Sequence, residues 1–65
     1  MAFTFKLELA DGTPATPPTF GAAVPNWKPG DVIFLGRERM LRVVERRESE
    51  DYNGVLVVEP VLSGH

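Results

Sequence analysis

Arginine is the residue type with the clearest binding chemistry in this sequence, and most of it lies in one short stretch. Five of the seven basic residues fall within positions 37–47: Arg37, Arg39, Arg42, Arg46 and Arg47. A guanidinium group can hold a phosphate or carboxylate through two parallel hydrogen bonds, and a nearby aromatic ring can stack on a base. The aromatic residues that precede this stretch most closely are Trp27 and Phe34. We therefore define a candidate interaction surface as Trp27, Phe34, Arg42 and Arg46.

Acidic residues beside the arginines support a different interpretation of the same stretch. They lie within it, directly after it and further along the chain: Glu38, Glu45, Glu48, Glu50, Asp51 and Glu59. Opposite charges on neighbouring strands pair with each other, so the arginines would form ion pairs on a solvent-exposed strand face. The net charge of −2 also disfavours nucleic acid as a partner, because phosphate binding requires an excess of Lys and Arg. We favour the ion-paired strand face over a phosphate-binding site.

Trp27 also has two interpretations. Its indole ring could stack on a base, a proline or a sugar of a ligand. Alternatively it closes one end of a small barrel and its indole N–H donates to a loop carbonyl. We favour this structural role because the core has few large residues. The segment Pro14-Ala-Thr-Pro17 matches the P-x-x-P pattern of polyproline ligands, but no basic residue flanks it, so we favour a structural loop there too.

Side chains for catalysis and metal binding are few. The sequence has no cysteine, and its single histidine is His65. Acid–base catalysis needs a histidine or paired carboxylates in a cleft, whereas the carboxylates here fall in turns and on the solvent-facing sides of strands. Ser49 and Ser63 have no neighbouring base, and the sequence has no glycine-rich phosphate loop. We predict that the protein is not an enzyme and that it uses no cofactor or metal ion.

Length and composition predict one small β-barrel domain spanning residues 1–65. Hydrophobic residues make up 43% of the chain, which suffices for a small core. A chain this short buries only about 60% of its unfolded surface, so the expected stability margin is thin. No apolar run approaches the roughly 20 residues of a membrane span, and the first residues do not resemble a signal peptide. We expect a cytoplasmic protein with no membrane partner.

Alternating apolar residues predict the first strand. Phe3, Phe5, Leu7 and Leu9 alternate with polar residues, and this period of two is typical of a strand with one buried face. We expect Phe5 and Leu7 to be buried and Lys6 to be exposed.

Four prolines between positions 13 and 25 predict an extended, irregular loop after a turn at Asp11-Gly12. A long loop in a small domain is either disordered or held in place by its own side chains. We expect Phe20 and Val24 to hold this loop by reaching the core.

The second half of the chain predicts three more strands. Lys28-Pro29-Gly30-Asp31 has the proline and glycine positions of a type II turn and leads into a strand over residues 32–35. A turn over 36–39 leads into residues 40–47, which form the next strand. Asn53-Gly54 then ends a polar hairpin loop before a strand over residues 55–59, with a short continuation at Val61 and Leu62.

The buried face of each strand can be assigned from the polar residues that must remain in contact with solvent. We expect Ile33 and Leu35 to point inward, which leaves Phe34 partly exposed at the centre of an apolar patch. This patch would be covered by the proline-rich loop or by a second copy. In the next strand we expect an inward-pointing pair, Leu41 and Val43, and an outward-pointing pair, Arg42 and Arg46.

Two resemblances accompany this pattern. The run Trp27-Lys-Pro-Gly-Asp-Val-Ile-Phe-Leu-Gly36, followed by Met40-Leu-Arg-Val-Val-Glu45, resembles the first hairpin of SH3-like small barrels. The whole chain, from Phe3-Thr-Phe-Lys-Leu-Glu-Leu-Ala-Asp-Gly12 onward, is similar to a group of small uncharacterised bacterial proteins. Together they imply an all-β fold: a small SH3-like, strongly bent antiparallel barrel of four to five strands with a proline-rich loop. They imply no activity, and the basic excess of nucleic-acid-binding barrels is missing here.

These observations favour a non-catalytic module, a monomer or weak homodimer, that binds a protein or peptide around Trp27, Phe34 and the arginine strand. Two alternatives stay open. One is a nucleic-acid-binding barrel that uses the same arginines, whose affinity would fall steeply with rising salt. The other is a structural or assembly protein that self-associates through an exposed strand edge, and its mass would depend on concentration.

Overall fold

Five strands form one sheet in the computed structural model, which describes residues 2–36 and 39–61. The strands are β1 (Phe3–Glu8), β2 (Pro14–Ala22), β3 (Val32–Phe34), β4 (Met40–Arg47) and β5 (Gly54–Val61). The all-β prediction is confirmed, and these described ranges contain no apolar helix of membrane-spanning length. The predictions for Arg37, for Leu62 and for His65 lie outside the described residues.

The strands follow the order β2-β1-β5-β4-β3 in a sheet that curls into a half-barrel. Two antiparallel units make up this sheet, the β1–β2 hairpin and the β3–β4–β5 meander. They join where β1 lies parallel to β5, with Phe5 opposite Gly54 and Glu8 opposite Val57. The prediction of a purely antiparallel sheet is therefore wrong. Side-chain alternation identifies a strand and its buried face, but it carries no information about the direction of the neighbouring strand.

The proline-rich segment is the second correction. We predicted an irregular loop over residues 13–25, but residues 14–22 form β2, an edge strand that pairs with β1. The pairing register slips between Lys6, opposite Thr19, and Glu8, opposite Pro14, so that Pro17 and Pro18 lie inside the irregularity. A proline lacks an N–H donor and is tolerated at a sheet edge or at a bulge. β2 is an edge strand and its pairing with β1 is irregular at these prolines, so both conditions are met.

One face of the sheet forms the hydrophobic core. The buried residues come from all five strands: Phe5, Leu7, Ala15, Ala22, Ile33, Leu41, Val43, Leu56 and Val58. The expected burial of Phe5, Leu7, Ile33, Leu41 and Val43 is thus confirmed. Lys6 lies on the opposite face of β1, where 41% of its side chain is exposed.

A β-bulge divides β4 into two parts whose faces are inverted. Val43 pairs with Val58 and Glu45 pairs with Val57, so Val44 is an extra residue on β4. Each extra residue in a strand shifts the following side chains to the other face. Arg46 consequently pairs with the fully buried Leu56 and lies on the concave side of the sheet. The prediction that Arg46 points outward with Arg42 is wrong for this reason.

The predicted turn before β3 is confirmed. The Asp31 N–H donates to the Lys28 carbonyl over 3.1 Å, and Gly30 has a φ of +99°. The third residue of a type II turn has a positive φ, a conformation that favours glycine. The Asp31 carboxylate in turn accepts the Lys28 N–H at 3.0 Å, which fixes where β3 begins.

Candidate functional site

The four residues of the candidate interaction surface lie in two places. Trp27 and Arg46 meet at one end of the half-barrel, on its concave side. Phe34 and Arg42 lie on the convex face of β3 and β4, in successive rows separated by one inward-facing pair, Ile33–Leu41. The structure thus separates an aromatic–arginine cluster that closes the core from an apolar and charged surface that faces solvent.

Arg46 holds the chain segment between β2 and β3 against the sheet. Its guanidinium donates to the carbonyls of Pro25 at 2.7 Å, Trp27 at 2.9 Å and Asn53 at 3.4 Å. The same group lies 5.4 Å from the centre of the Phe5 ring, a distance typical of a cation–π contact. Because the arginine links three backbone segments, its contacts indicate a structural role. This role could not be predicted from the sequence, because no distinctive residue marks the bulge that redirects Arg46.

Trp27 packs against Phe20 with ring centres 5.3 Å apart and ring planes at 79°. Both rings are partly buried and contact the core, so the expected anchoring role of Phe20 is confirmed. Val24 is instead 50% exposed, and its predicted anchoring role is wrong. The Trp27 indole Nε1 is buried without a hydrogen-bond partner among the described residues. The prediction that a loop carbonyl accepts this N–H is therefore wrong as well.

The convex face carries an apolar row at the β3 side of the sheet. Phe34 pairs with Met40, and Met40 pairs with Val61, so three strands contribute one side chain each. Phe34 keeps 71% of its surface exposed, which confirms its predicted outward orientation. The next row contains Val32, Arg42 and Glu59, and the Arg42 guanidinium lies 3.4 Å from the Glu59 carboxylate.

The free edge of β3 exposes backbone hydrogen-bonding groups. On the β4 side, the Asp31 carbonyl accepts the Val43 N–H at 2.8 Å and the Leu35 N–H donates to Arg39 at 2.9 Å. Antiparallel strands bond through alternate residues, so the N–H and C=O groups of Val32 and Phe34 face away from β4. The opposite edge of the sheet, β2, contains three prolines, which block strand pairing. Within the described residues, β3 is therefore the edge strand that contains no proline.

The convex face of the central strands is covered by charged side chains. The Glu8 carboxylate accepts from Arg47 at 2.6 Å and lies 3.3 Å from the Lys6 ammonium group, and Arg47 is 3.7 Å from Glu45. Val57 lies at the Glu8–Glu45 row and is only 7% exposed. The predicted pairing of arginines with Glu45 and Glu59 is confirmed. The predicted pairing with the loop of Glu48, Glu50 and Asp51 is not, because no ion pair among the described residues involves these three. Glu8 was missed because the parallel neighbour of β1 could not be inferred.

The described residues contain no group of three or more acidic or histidine side chains arranged to hold a metal ion. No protein-family model, curated protein or solved structure matches the chain.

Proposed function

We propose that this protein is a non-catalytic interaction module that binds an extended segment of a protein or peptide along the free edge of β3. The observation that carries the proposal is the coincidence, on one strand, of a free hydrogen-bonding edge and an exposed Phe34 ring. A partner strand would bond to the outward N–H and C=O groups of Val32 and Phe34. Its side chains on the convex face would then contact the Phe34 ring.

The chemistry of this surface specifies the partner further. The row of Phe34, Met40 and Val61 suits an apolar side chain of the bound strand, because burying it removes apolar area from water. Arg42 lies in the next row, half-exposed and only 3.4 Å from Glu59, so an acidic partner residue could compete for it. An extended segment with apolar residues and an acidic residue on one face fits both features.

Nucleic acid is less well supported as the partner. Arg42 and Arg47 have carboxylate neighbours, and Arg46 donates to three carbonyls. Phosphate binding would have to replace these contacts in a chain of net charge −2. Self-association is the stronger alternative, because an antiparallel pairing of two β3 strands about Ile33 would place Val32 opposite Phe34 of the second copy. We also propose that the half-barrel is an SH3-like fold, on the curled sheet and the short β3–β4 connection. The proposal that it is a bacterial, cytoplasmic protein is based on the resemblance of the sequence to small uncharacterised bacterial proteins.

The test uses peptides selected from an unconstrained displayed library against the wild-type protein. Their binding is measured by ¹⁵N-labelled NMR titration, in which the amide signals of Val32 and Phe34 should shift most. Val32→Pro removes an edge N–H without removing a bond to β4, and should lower affinity at least about tenfold. The matched control Val32→Ala keeps the N–H and should stay within about threefold.

Three results separate the alternatives. Equal affinity of Val32→Pro and wild type would refute binding along the edge. Tighter binding of a single-stranded oligonucleotide than of any peptide at physiological salt would favour the nucleic-acid function. A light-scattering mass that doubles with concentration, and returns to the monomer value in Val32→Pro, would favour self-association.

A further inference from the structure

The two ends of the half-barrel differ in how they are closed. At one end Trp27, Phe20 and Arg46 cover the core around Phe5. At the other end lies a cleft of about 330 Å³. The residues that line it come from both sides of the open sheet: Leu9, Ala15, Thr16, Arg39, Leu41, Pro60 and Val61.

This cleft continues into the hydrophobic core. Ala15 and Leu41 are buried members of the core, and Leu9 packs against it. Its volume lies near the lower end of the range in which proteins hold small organic molecules, about 300–1,000 Å³, and barrel mouths are a common place for such sites. An apolar wall of this kind suits an aliphatic chain.

Arg39 supplies the one charged side chain among the described lining residues. Its Nη2 donates to the Thr16 carbonyl at 2.6 Å, across the gap between β2 and the start of β4. This bond uses one of the five N–H donors of a guanidinium group. No ion pair among residues 2–36 and 39–61 involves Arg39, whereas Arg42 and Arg47 both have acidic neighbours. The group is therefore held at the mouth of the cleft with donors left for an anion.

We propose that this cleft binds a small aliphatic carboxylate, with its chain between Leu9, Ala15 and Leu41 and its carboxylate on Arg39. A carboxylate matches the single positive charge and the paired donors of one guanidinium group. A phosphate would bring a larger charge and a stronger hydration shell to a mostly apolar cleft. The site shares Val61 with the convex apolar row but lies away from the free edge of β3, and it does not depend on the proposed function.

Octanoate is the probe, and 1-octanol is its neutral counterpart of the same chain length. Titration of the ¹⁵N-labelled full chain should give saturable shifts of the Ala15, Thr16 and Leu41 amides, with a dissociation constant on the order of 1 mM for so few atoms. 1-Octanol should bind about tenfold more weakly, because it lacks the charge-assisted hydrogen bonds. Acetate, which lacks the chain, should not shift these amides over the same concentrations.

Arg39→Gln should lower octanoate affinity about tenfold, to the level of 1-octanol, and leave 1-octanol binding unchanged. Arg42→Gln is the matched control on the convex face and should bind octanoate as the wild type does. Three results would each overturn the site: no saturable shift at the lining amides, equal affinity for octanoate and 1-octanol, or equal losses in the two arginine variants. The comparison of octanoate with 1-octanol uses only wild-type protein, so it decides the matter even if Arg39→Gln fails to fold.

Discussion

Deleting a phenylalanine ring should have very different effects on the two faces of this sheet. Phe5 is fully buried beneath Arg46, whereas Phe34 keeps 71% of its surface exposed. Phe5→Ala should cost about 3–5 kcal/mol, from lost burial and the cavity that remains. Complete burial of a Phe side chain is worth about 1.5–3 kcal/mol, and only about three-tenths of Phe34 is covered, so Phe34→Ala should cost about 0.4–0.9 kcal/mol. A domain of this size has a total stability of about 3–10 kcal/mol.

Urea denaturation followed by the fluorescence of Trp27 measures both variants. Phe34→Ala should keep a cooperative transition with an unchanged dependence on urea. Phe5→Ala should lose at least about three-tenths of the wild-type unfolding free energy, so its transition midpoint should move far toward zero urea. A loss of more than about 2 kcal/mol in Phe34→Ala would show that the ring is packed rather than exposed. A Phe5→Ala variant within about 1 kcal/mol of wild type would equally refute the assigned core.

Three further predictions concern Arg46, the turn at Gly30 and the Asp11 carboxylate. Arg46→Met should lower the unfolding free energy by about 1–2 kcal/mol, because the hydrogen bonds to backbone carbonyls are lost. The control Arg42→Met should lower it by only about 0.5 kcal/mol, and urea denaturation measures both. Gly30→Ala should cost about 1–2 kcal/mol because of the positive φ, and a smaller loss of melting temperature than Gly21→Ala would contradict this. The Thr13 hydroxyl, at 2.7 Å, and then its N–H lower the pKa of Asp11 below its ordinary value of 3.8. Because the pKa of Asp11 is lower in the folded state, its ionised form stabilises the fold above pH 3.8. This stabilisation is lost as pH falls through the folded-state pKa. Asp11→Asn should therefore reduce the fall in unfolding free energy at acidic pH, measured as a stability–pH curve.

The strands that alternate regularly were predictable from the sequence. Phe5 and Leu7 in β1 identify the buried face because only one register buries apolar residues throughout. In β4, Leu41 and Val43 were assigned to the buried face because the opposite face would have buried Arg42. β2 was not predictable in this way. Its prolines are unfavourable in a central strand but acceptable at an edge, and a sequence does not state where in a sheet a strand will lie.

The candidate site shows the same limit at the scale of single residues. The outward position of Phe34 followed from the assignment of Ile33 to the core, and the structure agrees. Arg46 was misplaced because one extra residue, Val44, inverts the faces after it. The cleft beside Arg39 depends on contacts between strands that are far apart in the chain, so a reading of local patterns could not find it.

The parallel pairing of β1 with β5 also has a consequence for the order of folding. Neither the β1–β2 hairpin nor the β3–β4–β5 meander encloses the core alone, and the ladder between Phe5 and Gly54 must join residues that are 49 positions apart. Closing a loop of that length costs roughly 3–4 kcal/mol of chain entropy before the core contacts can repay it. Folding should therefore be rate-limited by the meeting of the first and last strands, in the millisecond-to-second range of β proteins dominated by non-local contacts. During synthesis, the apolar faces of both units stay exposed until the last strand has left the ribosome.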